Sequence, residues 1–201
     1  MNIQIYDTTL RDGTQREGIS LSCDDKIRVA LKLDELGVMF IEGGWPGSNP
    51  KDVEFFQRAA SLPLKHATVA AFGSTCRVDA NPENDPNIQA LLSAKTKICT
   101  VVGKTSLLHV RDVLRTTPSE NLRLIEQSVA YLVQQGRRVI YDAEHFFDGY
   151  KMDAAYSLAS LDAARKGGAE TVVLCDTNGG SMPWEVSDIV RTVRKKWEGA
   201  S

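Results

Sequence analysis

The sequence is first informative through what it lacks. No apolar stretch approaches the roughly 20 residues that a membrane-spanning helix needs, and we expect no signal peptide at its start. Long basic runs are absent too, because the formal net charge is −2 and the one local basic cluster is Arg194, Lys195 and Lys196. These absences argue against a membrane protein and against a nucleic-acid partner. We therefore expect a cytoplasmic protein.

Patterns typical of disulfide frameworks and zinc sites are also missing. The four cysteines are scattered, without a CxxC pair or a zinc-like spacing. Cys99 and Cys175 lie in apolar, strand-like segments, so we expect buried free thiols rather than disulfides. The histidines (His66, His109 and His145) stand singly, and no two of them have the i,i+2 or i,i+4 spacing of a metal-binding pair.

What is present is a regular alternation of apolar, strand-like segments with amphipathic helical patterns. Strands are expected at about residues 3–7, 38–44, 66–73, 97–103, 137–146 and 170–180. Helices are expected at about residues 24–36, 51–61, 87–93, 119–135, 153–166 and 183–197. Ser22 or Asp24 can cap the first helix, and Gly37 can end it. With 201 residues, the chain is long enough for one domain with a real core, and we assign residues 1–201 to it.

Six strand–helix units predict an α/β fold with a parallel sheet, either a (β/α)8 TIM barrel or an open doubly wound sheet. Polar or glycine-rich residues follow every expected strand, as in "RDG", "EGG", "DAEH" and "DTNGG". A barrel gathers all these strand ends at one mouth, whereas a doubly wound sheet uses one switch point. The pattern therefore favours a barrel, but a complete one takes about 250 residues, so we expect it truncated to about six units.

The segment "DTTLRDGTQREG" (7–18) places charged side chains at a strand end, where they are poor for packing and suited to chemistry. Taken alone, Asp7 could form a structural ion pair with Arg11 or Arg16. Together with "EGGWPGSNPKD" (42–52), "YDAEHFFDGYK" (141–151) and "LCDTNGG" (174–180), the segment resembles the α-isopropylmalate synthase/homocitrate synthase family, in particular its citramalate synthase branch. The wider group contains metal-dependent TIM barrels such as hydroxymethylglutaryl-CoA lyase.

The resemblance implies an acyltransferase that condenses acetyl-CoA with an α-keto acid such as pyruvate, forming (R)-citramalate on a route to isoleucine. A divalent metal, Mg²⁺ or Mn²⁺ and less typically Zn²⁺, would act as a Lewis acid. Asp12 matches the carboxylate that binds this metal. Arg11 matches the arginine that holds the keto oxygen and stabilises the developing alkoxide.

Four further positions are implied by the same resemblance. Glu144 matches a glutamate that takes part in acid–base or water-positioning chemistry. Thr177 matches a threonine that hydrogen-bonds the keto-acid carboxylate. Gln15 and Asp142 stand where relatives carry residues near the metal and the keto acid. The second motif could form a wall of the keto-acid pocket, and Trp45 within it is either a packing residue or a substrate contact.

The sequence departs from the family in one respect that concerns the metal. The resemblance implies a His-x-His pair after a seventh strand, and this sequence contains no such pair. We therefore expect an incomplete catalytic domain that is inactive by itself and that dimerises or otherwise self-associates through the first and sixth strands, whose edges would be uncovered. Alternatives are 2-isopropylmalate or homocitrate synthase, a hydroxymethylglutaryl-CoA lyase-like carbon–carbon lyase, or a non-catalytic self-associating fragment.

Overall fold

The computed structural model describes residues 3–48 and 50–198. Six strands form one sheet: β1 (Tyr6–Asp7), β2 (Phe40–Gly44), β3 (Thr68–Ser74), β4 (Ile98–Lys104), β5 (Arg138–Glu144) and β6 (Thr171–Leu174). The helices are α1 (Cys23–Glu35), α2 (Pro50–Ala59), α3 (Pro86–Ser93), α4 (Leu107–His109), α5 (Pro118–Gln134), α6 (Phe146–Met152), α7 (Ala154–Lys166) and α8 (Pro183–Glu198). A π-helical turn, Val110–Leu114, follows α4. None of the described helices is long and apolar enough to cross a membrane.

The sheet is a curled half-barrel rather than a doubly wound sheet. All pairings are parallel, and the strand order β1-β2-β3-β4-β5-β6 follows the chain without a reversal. The hydroxyl of Tyr6 in β1 lies 2.6 Å from Oγ1 of Thr100 in β4. In a flat sheet these strands would be roughly 14 Å apart at about 4.8 Å per strand. The sheet must therefore curve as a barrel wall does, which confirms the predicted fold class.

Side chains alternate between the concave and the outer face of the sheet. On the outer face, residues such as Ile41, Cys99 and Val139 pack against the helices in the main hydrophobic core. On the concave face, Phe40, Ala70, Ile98 and Ile140 form a smaller apolar cluster near the amino-terminal ends of the strands. Polar residues follow two positions later, because Glu42, Thr100 and Asp142 share the faces of Phe40, Ile98 and Ile140. The concave face thus changes from apolar to polar along β2, β4 and β5.

Helix α1 shows how local sequence sets an element's ends. Ser22 is its N-cap and forms a capping box with Asp25, so the cap is Ser22 and not Asp24. Gly37 takes φ +86° after the last turn, a conformation that favours glycine. Its N–H donates to the Asp34 carbonyl at 2.9 Å, and the predicted stop is confirmed.

The carboxylate of Asp34 ties α1 to the segment that enters β3. It accepts backbone N–H groups of Lys65, His66 and Ala67 at 2.7–3.1 Å. These hydrogen bonds to the charged form lower the pKa of Asp34 to about 2. The Asp34 carboxylate therefore fixes the backbone of residues 65–67 just before β3 begins.

Several predicted strands are shorter in the structure. The strand expected at 3–7 has only Tyr6 and Asp7 in the sheet, and the one expected at 170–180 ends at Leu174. The strand expected at 137–146 ends at Glu144, because His145 adopts a left-handed conformation with φ 55°. Helix α6, which was not predicted, begins directly after it.

Candidate active site

The predicted site residues lie around one cavity at the carboxyl ends of the strands. The cavity has a volume of about 920 Å³ and receives side chains from all six strand–loop connections. It brings together the six residues singled out by the sequence: Arg11, Asp12, Gln15, Asp142, Glu144 and Thr177. Residues that are far apart in the chain thus share a single concave surface, as expected at the mouth of a barrel.

Arg11 is the most firmly fixed of these side chains. Its Nε donates to Oε1 of Glu42 at 2.5 Å, and Nη1 donates to Oδ1 of Asp12 at 3.2 Å. The guanidinium also stacks on the ring of Phe72, 3.8 Å from its centroid. The expected alternative of an ion pair with Asp7 is wrong, because the Asp7 carboxylate instead accepts the backbone N–H and the hydroxyl of Thr9. Arg11 is therefore held from two sides in one orientation.

Glu42, which the sequence interpretation missed, is the carboxylate that orients Arg11. It lies in the middle of β2 with 2% of its surface exposed, and its Oε2 accepts the hydroxyl of Tyr6 at 2.6 Å. Burial raises the pKa of Glu42, and Arg11 partly opposes the shift. Burial, followed by the charge of Glu42, raises the pKa of Tyr6 far above its usual range, so the phenol stays a hydrogen-bond donor. The sequence signal that could have identified Glu42 is a charged residue inside the apolar strand "FIEGG".

Asp12 and Gln15 lie at the open side of the cavity. The side chain of Asp12 is 63% exposed, and it pairs with Arg11 within the part of the chain that the structure describes. Among residues 3–48 and 50–198, no group of three or more His, Cys, Asp or Glu side chains could hold a metal ion. Asp12 is therefore suited to be one oxygen ligand of a hard cation, but the described residues do not complete a metal site.

Glu144 ends β5 and forms an ion pair with Lys104. Like Glu42, Lys104 was not predicted from the sequence. Lys104 and Glu144 are direct neighbours in the register of β4 and β5. About a quarter of each side chain is exposed, at 26% and 27%. The charged ends of this pair line the same cavity as Arg11.

Asp142 is a half-buried acid of the same strand. Its Oδ1 accepts the thiol of Cys175 at 2.9 Å. Burial raises the pKa of Asp142, and burial and the charge of Asp142 raise the pKa of Cys175 well above its usual range. Cys175 is half-buried and lies just beyond β6, so the expectation that it sits buried within a strand is wrong. Cys99 is free and buried, as predicted, and Cys23 and Cys76 are free and buried as well.

Thr177 connects the loops after β5 and β6. Its Oγ1 accepts the backbone N–H of His145 at 2.9 Å. The ring of His145 lies 4.4 Å from that of His109, and its Nδ1 is 3.7 Å from Oδ2 of Asp148. Burial and the neighbouring His145 lower the pKa of His109. Two histidines that stand singly in the sequence are thus brought together at the rim.

Trp45 forms part of the cavity wall beside β2. Its ring meets that of Phe72 edge-on, with centroids 5.4 Å apart. Its backbone N–H donates to Asp52 at 2.8 Å, and Asp52 forms a buried ion pair with Lys26. Trp45 therefore packs on Phe72 and also lines the cavity.

Comparison with known proteins agrees with this architecture. The family profile described as HMGL-like matches residues 2–200, and the chain belongs to that family. The (R)-citramalate synthase of Aquifex aeolicus is 51% identical over 199 residues, which are 99% of this chain and 38% of the relative. The 2-isopropylmalate synthase of Pyrococcus furiosus is 32% identical over 193 residues, 96% of this chain and 37% of the relative.

Among solved structures, the hydroxymethylglutaryl-CoA lyase from Pseudomonas aeruginosa superimposes with a TM-score of 0.76 at 20% identity. The match covers 96% of this chain and 64% of that chain, and it supports the barrel fold. The chain spans less than two fifths of the length of the curated relatives it matches.

Proposed function

We propose that this chain supplies the arginine-containing cavity of an enzyme that condenses acetyl-CoA with pyruvate to (R)-citramalate. The observation that carries the proposal is the fixed Arg11, held by buried Glu42 and stacked on Phe72, at the mouth of an HMGL-like barrel. The relatives named for this reaction are 48–54% identical to the chain, whereas those named 2-isopropylmalate synthase are 31–33% identical. This difference favours pyruvate over a larger keto acid.

Arg11 would hold the keto oxygen and stabilise the alkoxide that forms on it. A guanidinium carries five N–H donors, and two of them are used on Glu42 and Asp12. Others remain for a substrate oxygen. Because Glu42 and Phe72 fix the group beforehand, the charge needs little reorganisation when the alkoxide develops.

Thr177 and Asp142 would receive the carboxylate end of the keto acid. The Thr177 oxygen accepts the N–H of His145, which leaves its own O–H to donate to an anion. The raised pKa of Asp142 favours its neutral form and so reduces repulsion of an anionic substrate. Gln15 would contribute a polar contact at the open side. Glu144, paired with Lys104, would position water or transfer a proton.

A divalent cation, if bound, would polarise the keto group of the substrate. Asp12 fits such an ion as a single exposed oxygen ligand. The described residues offer no cluster that completes its coordination. The roles assigned above therefore rest on the side chains of this chain alone.

The test is release of free CoA thiol from acetyl-CoA in the presence of pyruvate and Mn²⁺. It should be run on this chain and on a chimera in which the chain replaces the matching segment of the Aquifex aeolicus relative. We expect release by the chimera and not by the chain alone. A chimera that prefers 2-oxoisovalerate to pyruvate would contradict the citramalate assignment, and one that uses no keto acid would contradict the reaction class.

A further inference from the structure

The roles assigned so far do not explain why the cavity contains the ion pair between Lys104 and Glu144. Lys104 and Glu144 end neighbouring strands, stand directly opposite each other in register, and bond through their charged ends. On the far side of the cavity, Arg11 pairs with both Glu42 and Asp12. Lys104 is thus the cation of the β4–β5 side.

Three buried polar side chains donate hydrogen bonds to the backbone at or next to this pair. Asn121 of α5 donates to the Lys104 carbonyl at 2.8 Å. Thr105 donates to the Glu144 carbonyl at 2.6 Å, and Ser157 of α7 donates to the Thr105 carbonyl at 2.9 Å. Asn121, Thr105 and Ser157 are each 0% exposed. Burying a hydrogen-bond donor is unfavourable unless it is bonded, and here each side chain donates to a backbone carbonyl at or just beyond the end of β4 or β5.

Helix α6 leaves room for the same network. A Cβ on Gly149 would lie 2.8 Å from the Thr105 carbonyl oxygen and 2.9 Å from Oγ of Ser157. A side chain there would displace the hydrogen bond between these two groups. The close approach of α6 therefore depends on a glycine beside the network.

Carboxyl side chains outnumber cationic side chains in the lining of the cavity. Its lining contains five carboxyl side chains: Asp12, Glu42, Asp142, Glu144 and Asp176. It contains three cationic side chains: Arg11, Arg77 and Lys104. Arg11 is engaged by Glu42, so Lys104 is the cation that lies beside the Glu144 carboxylate.

We infer that Lys104 is a positioning residue that fixes the Glu144 carboxylate in the cavity for its part in the condensation. The ammonium donates an N–H to the Glu144 carboxylate and so acts on the reaction through that carboxylate. The inference deepens the proposed function and rests on it for the role of Glu144. The pair itself is a property of the fold and can be tested separately.

The kinetic test is a double-mutant cycle in the chimera, with CoA release as the assay. Lys104→Met is expected to lower kcat by about 10- to 100-fold, the range for loss of positioning, and to change the KM for pyruvate much less. In a Glu144→Gln background the same change should have no further effect, because the carboxylate it positions is gone. Lys104→Arg should recover part of the loss. Lys196→Met, which breaks another Lys–carboxylate pair between two helices, is the matched control and should leave kcat unchanged.

A carbodiimide cross-link tests the pair in this chain without any activity. The reagent activates a carboxylate, the lysine amine displaces it as a urea, and an amide bond forms with net loss of water. We expect a Lys104–Glu144 cross-link by peptide mass mapping, absent in Lys104→Arg, with the Lys196–Asp162 pair as the positive control.

The two arms separate the inference from the proposed function. If the unsubstituted chimera releases no CoA, the function fails, and the cross-link still decides whether the pair exists. If the chimera is active, unchanged kcat in Lys104→Met, or losses that multiply with Glu144→Gln, would overturn the positioning role. A missing cross-link beside a successful positive control would overturn it as well.

Discussion

Replacing Glu42 by alanine is expected to destabilise the fold strongly, because it leaves Arg11 without its buried partner. Glu42 is 2% exposed, and the Arg11 side chain is 16% exposed. Removing one partner of a buried pair destabilises by about 3–5 kcal/mol, and we take about 3 because Arg11 retains some solvent contact. For a chain of this size, about 2–4 °C per kcal/mol gives a melting temperature about 6–12 °C lower.

Thermal unfolding followed by circular dichroism measures this effect, with Glu170→Ala as the matched control. Glu170 pairs with Arg138 by hydrogen bonds of similar length, 2.5–2.6 Å, but both side chains are about half exposed. Exposed pairs contribute about 0–1 kcal/mol, so the control should melt within about 4 °C of the unsubstituted chain.

A double replacement sharpens the argument. Arg11→Met together with Glu42→Met removes both charges, so the variant should be more stable than Glu42→Ala, where one charge stays unpaired. Equal melting shifts for Glu42→Ala and Glu170→Ala would refute the reasoning. So would a double variant that is less stable than Glu42→Ala, because then the lost charge pairing would not be the cause.

Three further predictions concern the rest of the molecule. Asp34→Asn should lower the melting temperature at pH 7. Because the pKa of Asp34 is lowered to about 2 from 3.8, the unsubstituted chain should lose this stabilisation as the pH falls from about 4 to 2. An Asp34→Asn variant whose melting temperature falls with pH as that of the unsubstituted chain does would contradict the assignment. Gly149→Ala should lower the free energy of unfolding by about 1–3 kcal/mol in chemical denaturation, because the added methyl group overpacks the contact with Thr105 and Ser157. This loss should exceed the gain of about 1 kcal/mol that alanine gives over glycine in a helix. A more stable variant would show that the close contact relaxes. Because β1 and β6 each pair on one side only within the described residues, light scattering should show concentration-dependent association, and a monodisperse monomer at high concentration would count against it.

The order and number of strands were predictable because buried parallel strands are nearly continuous apolar runs bounded by turn residues. The ends of those strands were not predictable from the sequence, because a strand ends where the adjacent strand no longer offers hydrogen-bonding partners. Residues 3–5 have strand-like composition, yet only Tyr6 and Asp7 pair with β2. In the same way, aromatic residues after Glu144 resemble a continuing strand, but Phe146 and Phe147 are buried in the core as part of α6.

The candidate site was predictable where a residue follows a strand and matches a family motif, as for Arg11 and Asp12. Glu42 could have been found from a charge inside an apolar strand. Lys104 could not, because its importance depends on the register that places it opposite Glu144. The alternation of side chains explains the grouping of the site once that register is known, since Asp142 and Glu144 are two residues apart and share the concave face.

The most direct test of the account is the kcat/KM of the chimera for pyruvate after Arg11→Lys. Lysine keeps the charge but loses the planar donors that bond Glu42 and the stacking on Phe72. We predict a loss of about 10²- to 10³-fold, the range for removing one group that stabilises an oxyanion, with circular dichroism confirming a folded protein. Activity within a few fold of the unsubstituted chimera would contradict the claim that this cavity carries the reaction.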